Sequence, residues 1–274
     1  MKQYEKNNRA FKNERNERKG RDFADREPQE ENSSLIGGRN AVKELLASER
    51  DIDKILVAKG DRDGSIVMLV SEAIARKIPV IETDRKKMDT IFGSTHHQGI
   101  LAMAAERNYY SVDDILEYAA EKNEKPFIII ADGIEDPHNL GAIIRSAECA
   151  GAHGLVIPKR RAVGLTSVVA KSSAGAIEHL RIAKVTNLAT AIEDMKEKGI
   201  WVYAADMSGT NYYDLDFKTA TAIVLGSEGN GISKLVKDKC DFVASIPIYG
   251  KVNSMNVSTA AAVILCEVAK QRNT

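Results

Sequence analysis

The sequence predicts an α/β protein in two parts: a small α/β domain, then a larger one built on a central parallel sheet. Three observations predict it. Five short runs in the C-terminal half (127–131, 154–157, 201–205, 222–225 and 242–244) are almost wholly apolar and alternate with helical stretches. Runs of this kind are buried on both faces of a parallel sheet. Strand-like and helical spacing also alternate between residues 35 and 104. Between the two parts lies a polar segment, 106–112, the expected linker, followed by an amphipathic helix and a fresh apolar strand.

Taken in order, residues 1–34 form a charged arm. Residues 1–21 carry net +5 and residues 22–34 net −4, with Asn, Gln and Arg where a core needs aliphatics. Burial there cannot offset chain entropy, so the arm is expected to be disordered, either an RNA-touching tail or a solvated extension. Helical spacing follows over 39–47, then a strand over 54–58 and a helix over 64–76. A strand over 79–82, a helix capped by Thr83 or Asp84 and a strand over 99–104 complete the small domain. The expected divisions are 1–34, 35–108, a linker helix in 109–124, and 125–274.

The 39 basic and 39 acidic residues balance, which excludes a protein that coats nucleic acid by charge alone. No apolar run is long enough to span a bilayer, and the first twenty residues are too polar for a secretory signal. The three cysteines, Cys149, Cys240 and Cys266, lack CxxC spacing and suggest neither a disulfide framework nor a zinc site. Cys149 and Cys266 read as small core residues on apolar helices. A cytoplasmic protein is expected.

Ligands of parallel sheets bind in loops beyond the carboxyl ends of the strands, and three such loops stand out. The first, 132–147, enters a helix carrying Asn139 and Arg145. Asn139 suits a helix cap. Arg145 stands among Leu140, Ile143, Ile144 and Ala147, where a cation is expected to have an anionic partner. The second, 226–233, reads Gly-Ser-Glu-Gly-Asn-Gly-Ile-Ser. Its glycines allow close backbone approach to a ligand, yet it is neither a GxGxxG fingerprint nor a P-loop. Glu228 there is either a site carboxylate or a turn residue. The third, 246–258, holds Ser254, Asn256 and Ser258; one such residue suffices to cap the alanine-rich helix that follows, so the cluster points to more than capping. That helix is expected to be buried.

In this order, over residues 127–270, the three loops resemble the signature motifs of the SpoU/TrmH family of RNA ribose 2′-O-methyltransferases, part of the SPOUT superfamily. Ile36-Gly37-Gly38-Arg39-Asn40-Ala41-Val42 and His97-Gln98-Gly99-Ile100 resemble that family's N-terminal substrate-binding domain, whose fold is akin to certain ribosomal proteins. The whole chain is similar to the family's bacterial 23S rRNA guanosine-2′-O-methyltransferases. The resemblance implies a deep trefoil knot, rare among protein topologies, in residues 125–274, with residues 35–108 binding RNA. It also implies S-adenosylmethionine as cofactor, 23S rRNA as partner and a homodimer sharing its active site, with the last helix contributing.

By the same resemblance the cofactor lies among Ala205, Gly226, Ile246 and Met255, where apolar walls and backbone groups suit adenine. Catalysis falls to Asn139, Arg145, Glu228, Ser254 and Asn256. A ribose hydroxyl is a poor nucleophile and needs help with its proton and its developing charge. The resemblance makes Arg145 a proposed base, but an arginine is normally always protonated, so Arg145 is read as holding the target phosphate or the oxyanion, with participation in proton transfer left open. The other four orient and hydrogen-bond.

The resemblance implies no metal; His138 reads as a solvated loop residue. His96 and His97 are either structural or RNA-contacting. Lys159, Arg160 and Arg161 follow a strand end and, with Arg39, are candidates for gripping phosphate. Three rival readings stand beside this one: a tRNA ribose methyltransferase of the same family, a noncatalytic RNA-binding protein with its fold, and a nucleotide-dependent oxidoreductase. The last lacks a Rossmann fingerprint after its first strand.

Overall fold

The computed structural model describes residues 33–48, 50–60, 64–105 and 107–274. Apart from Ser33 and Ser34, the charged arm expected over 1–34 lies outside them. The first sheet is built from β1 (Ser33–Gly37), β2 (Ile52–Ala58), β3 (Val80–Thr83) and β4 (Ile100–Ala105), in the order β1-β4-β2-β3. β2 runs parallel to β3 and antiparallel to β4. Helices α1 (Arg39–Ala47), α2 (Gly64–Ala75) and α3 (Arg85–Phe92) connect them. Of the two caps expected for α3, Asp84 serves, its carboxylate accepting from the Lys86 amide at 2.9 Å. Ile66, Leu69 and Ala73 of α2 fill the core beside Val42, Leu45 and Ile55, whereas Val67, Met68 and Ile74 face outward.

After the linker, α4 (Val112–Glu121) starts from a capping box: the Ser111 hydroxyl accepts from the Asp114 amide at 3.0 Å, and the Asp114 carboxylate accepts from the Ser111 amide at 2.7 Å. The large sheet follows: β5 (Phe127–Asp132), β6 (Gly154–Pro158), β7 (Arg181–Val185), β8 (Trp201–Asn211), β9 (Thr221–Gly226) and β10 (Phe242–Ser245), in the order β10-β8-β9-β5-β6-β7. Every pairing is parallel. The remaining helices are α5 (Pro137–Cys149), α6 (Ser167–Ser172), α7 (Leu188–Glu197), α8 (Lys234–Lys237) and α9 (Val257–Asn273).

The apolar strands bury both faces, as a parallel sheet requires. Ile129, Leu155 and Ile223 meet Leu140 of α5 and Ile264 of α9 on one side. Ile128, Ile130 and Val224 meet Ile115 of α4 and Ile192 of α7 on the other. β7, which mixes Arg181 and Lys184 with three apolar residues, was not expected; it is an edge strand, where charged side chains are tolerated. β8 runs on to Asn211, beyond the expected 205, because past a bulge it still pairs with β10, Ala244 to Thr210 and Ser245 to Asn211.

Two expectations about the helices need correction. Cys149 and Cys266 are exposed, not core, because they fall on the outward stripes of α5 and α9. Accordingly α9 is only half covered: Ala261, Ile264, Leu265 and Val268 are buried while Thr259 and Cys266 are open.

Two carboxylates, Glu178 and Glu44, tie the small sheet's part of the chain to the large sheet's. The Glu178 side chain, 2% exposed, pairs with Arg50 at 3.3 Å and with Arg107. Nearby, His179 meets Glu44 at 2.8 Å, and Gly175, at φ 95°, lies so close to Glu44 that a Cβ there would overlap it. Burial lowers the Arg50 pKa against the pull of Glu178, without bringing an arginine near neutrality.

Candidate active site

Beyond the carboxyl ends of the large sheet lie two cavities separated by the loop after β9. The first, about 440 Å³, sits over β8, β9 and β10, and Ala205, Gly226, Ile246, Ser254 and Met255 all line it. The second, about 930 Å³, sits over β5, β6 and β7; Asn139, Arg160 and Arg161 are among its walls. Residues 227–231 line both. That loop is held as a tight hairpin by two backbone bonds between Ser227 and Gly231, at 3.0 and 2.9 Å, and its far end is pinned by the Ser233 amide donating to Asp132 at 2.8 Å.

Across this shared wall three of the candidate residues meet. The Asn139 Nδ2 donates to Glu228 Oε1 at 2.7 Å, and Asn256 Nδ2 donates to the same oxygen at 2.6 Å. Asn256 Nδ2 also donates to Asn139 Oδ1 at 3.1 Å, closing a triangle. Glu228 is therefore more than a turn residue. Its Oε2 takes no hydrogen bond from the described residues, and Glu228 lines both cavities.

The local sequence explains each placement. Asp136, not Asn139, caps α5, its carboxylate accepting from the His138 amide at 2.7 Å; Pro137 follows at the first helical position, where its missing N–H costs nothing. This frees the buried Asn139 for Glu228. His138 is exposed, but in the helix's first turn rather than in a loop. Of the three capping candidates before α9, Asn256 serves: its Oδ1 accepts from the Ser258 and Thr259 amides at 2.9 and 3.3 Å, which orients the amide nitrogen toward Glu228. Ser254 is an exposed loop residue on the first cavity.

Arg145 departs from expectation. It is exposed, lines neither cavity and has no anionic partner among the described residues. Six residues beyond Asn139, it falls on another face of α5, the same outward stripe that carries His138 and Cys149. Arg39 lies in the first domain, its guanidinium reaching the Ser65 hydroxyl at 3.1 Å. Lys159 is exposed beside the second cavity without lining it. His97 is fully buried between Asp89, at 2.9 Å, and the Gly99 amide, at 3.0 Å, so of its two readings the structural one holds.

The first cavity fits a cationic, partly apolar ligand. Its charged walls are both carboxylates, Asp206 and Glu228, set among Leu225, Ile246, Val257 and Ile264. A Cβ on Gly226 would overlap the backbone of Gly231 and Ile232. Asp206 was missed in the sequence because the apolar run of β8 ends at Ala205. Burial pushes its carboxyl up, but hydrogen bonds from Lys237 and Ser208 outweigh that and hold it below the usual range. The Lys237 pair is 2.9 Å long.

Residues 126–266, which contain all three loops and both cavities' shared wall, match the SpoU rRNA methylase family. The chain belongs to that family. As a SpoU/TrmH RNA methyltransferase it also carries, over residues 35–110, the module described as RNA 2′-O ribose methyltransferase substrate binding. YacO of Bacillus subtilis, named as a TrmH family tRNA/rRNA methyltransferase, is 47% identical over 86% of this chain and 95% of its own length. A Staphylococcus aureus protein of the same name is 42% identical, over 88% and 97%. Among solved structures, the SpoU methyltransferase AviRb of Streptomyces viridochromogenes, in complex with AdoMet, has a TM-score of 0.73 at 22% identity, covering 88% of this chain and 91% of that one. The AdoMet-bound rRNA methyltransferase of Sinorhizobium meliloti has 0.71 at 23%, covering 87% of each. These two likenesses establish the fold. No helix among the described residues is long and apolar enough to cross a membrane.

Proposed function

We propose that this SpoU/TrmH enzyme methylates the ribose 2′-hydroxyl of a guanosine in 23S rRNA in the cytoplasm, with S-adenosylmethionine in the first cavity and the target nucleotide in the second. The observation that carries the reading is the Asn139–Glu228–Asn256 triangle on the wall the two cavities share. The cofactor supplies an electrophilic methyl on a sulfonium. Ala205, Gly226, Ile246 and Met255 would hold it, and the Glu228 carboxylate, which makes no ion pair among the described residues, complements its positive charge, whereas Asp206 is already paired with Lys237.

Asn139 and Asn256 fix Glu228 Oε1, so Oε2 is oriented to accept the hydrogen bond of the ribose hydroxyl. Ser254 donates to the same nucleotide from the other side of the wall. Arg160 and Arg161 line the second cavity and bind its phosphates. Arg145, always cationic, holds the target phosphate or stabilises the developing oxyanion. Positioning supplies most of the acceleration.

Because Arg145 lies outside both cavities of its own chain, we infer that it acts across a homodimer. The open stripe of α9, with Thr259 and Cys266, and the exposed Tyr249 and Val252 beside the first cavity offer apolar surface for that pairing. The knot expected in residues 125–274 belongs to the same reading.

Calorimetric titration with S-adenosylmethionine tests the enzyme reading; no binding by folded protein sinks it. Mapping 2′-O-methyl groups on 23S rRNA and tRNA, with and without the gene, tests the substrate. Loss of a tRNA mark and no rRNA mark would transfer the assignment to tRNA.

A further inference from the structure

Lysines around α7 and α8 are neutralised: Lys196 pairs with Asp241, Lys198 with Asp113, Lys237 with Asp206 and Lys239 with Glu193. The loop after β6 is different. Lys159, Arg160 and Arg161 are exposed there, and neither they nor Lys184 on the adjacent strand makes an ion pair among the described residues. In a chain with as many acids as bases, four unneutralised cations in one run mark where an anion is drawn.

The run is physically continuous with the linker. The Lys159 amide donates to the Val185 carbonyl at 2.8 Å, and Ile157 stands against Lys184 in the strand register. The loop continues to Leu165, whose amide donates to the Tyr109 hydroxyl at 3.3 Å. Lys184 Nζ lies 4.7 Å from the Tyr109 ring centroid. Tyr109 and its neighbour Tyr110 are 36% and 42% exposed. Arg161 holds φ 58°, a left-handed conformation strained for a non-glycine residue; such strain concentrates at ligand-binding loops. Arg160 and Arg161 also line the second cavity.

We propose that this run is a track for unpaired RNA nucleotides flanking the target: a base stacks on Tyr109, with Tyr110 beside it, and phosphates lie along Lys184, Lys159, Arg160 and Arg161. Every base has a π-face, and unstacked nucleotides are what an exposed aromatic beside cations recognises. The proposal rests on reading the second cavity as the RNA site.

Fluorescence anisotropy with a short fluorescein-labelled single-stranded RNA, and with the same sequence as a duplex, tests it over a salt series. Tyr109→Leu is expected to weaken single-strand binding about tenfold at unchanged salt slope. Tyr109→Phe, which keeps the ring but loses the Leu165 bond, is expected to bind as wild type. Lys184→Gln and Arg160→Gln should each reduce the slope of log K against log salt by about one. Melting temperature and S-adenosylmethionine affinity, read for every variant, should not move. Tyr109→Leu binding as tightly as wild type, or duplex binding as tightly as single strand, overturns the track. If wild-type protein ignores S-adenosylmethionine while these variants still lose RNA, the proposed reaction falls and the track stands.

Discussion

Asn256 binds Glu228 at 2.6 Å with its amide nitrogen while its amide oxygen caps α9. One side chain thus sets both the start of the last helix and the orientation of a carboxylate distant in sequence. Asn256→Ser separates the two jobs: serine still caps but cannot reach Glu228. The variant is expected to lose less than about 1 kcal/mol of stability, yet to lose methyl transfer about a hundredfold through misplacement of the carboxylate. Thermal melts and tritiated-methyl transfer to rRNA measure the two effects.

Arg145→Ala should cut methyl transfer at least a hundredfold, roughly the loss of an oxyanion-stabilising group, with cofactor affinity unchanged, since Arg145 touches neither cavity. Equal loss of transfer and affinity refutes its role. Co-expression of Arg145→Ala and Asn256→Ser chains should restore part of the activity through mixed dimers. No recovery argues for a site completed within one chain.

Gly226→Ala places a methyl against the backbone of Gly231 and Ile232. Neither can give way without opening the Ser227–Gly231 hairpin, so about 1–3 kcal/mol of stability should be lost, together with calorimetric binding of S-adenosylmethionine. Retained binding would show that the first cavity is not the cofactor's.

His153 links stability to pH. Its Nδ1 accepts from the Phe127 amide at 3.0 Å and its Nε2 meets Glu124 at 3.1 Å. Burial pushes its pKa below the ordinary histidine range, and Glu124 only partly counters this. The unfolded chain takes up the proton near pH 6.5 and the folded chain only at lower pH. The stabilising contribution is therefore complete above about pH 6.5 and is lost as pH falls, by at most about 1.4 kcal/mol per pH unit. Melting temperatures of wild type should drop on acidification more steeply than those of His153→Asn, which keeps an acceptor without a titration.

Glu178→Ala leaves Arg50 and Arg107 facing each other without their carboxylate. Breaking a buried pair from one side costs about 3–5 kcal/mol; denaturant titration should find a loss near the lower figure, because both arginines keep some solvent.

The helices and strands of the sequence were legible wherever burial was two-sided: 127–131 and 222–225 read as strands because nothing polar interrupts them. β7 escaped because an edge strand carries Arg181 and Lys184. The five catalytic candidates came from a motif resemblance, and three of them meet in the fold. The hydrogen bonds joining them could not be read, since Asn139, Glu228 and Asn256 are far apart in sequence and only the sheet order brings their loops together. The assignment of Cys266 to the core failed because an alanine-rich helix shows little amphipathic contrast, so its outward stripe leaves no mark in the sequence; Cys149 instead shares its stripe with His138 and Arg145, which the apolar neighbours Ile143, Ile144 and Ala147 obscured.

The Ser227–Gly231 hairpin borders both cavities, and this makes their proposed occupants thermodynamic neighbours. A hairpin ordered by one ligand is met already ordered by the other, so any coupling it carries is shared between the two sites. On the proposed reading, with methyl donor in one cavity and RNA in the other, any factor by which the first changes the second's dissociation constant is returned unchanged by the second. The enzyme needs no separate sensor to register which of its two rooms is filled.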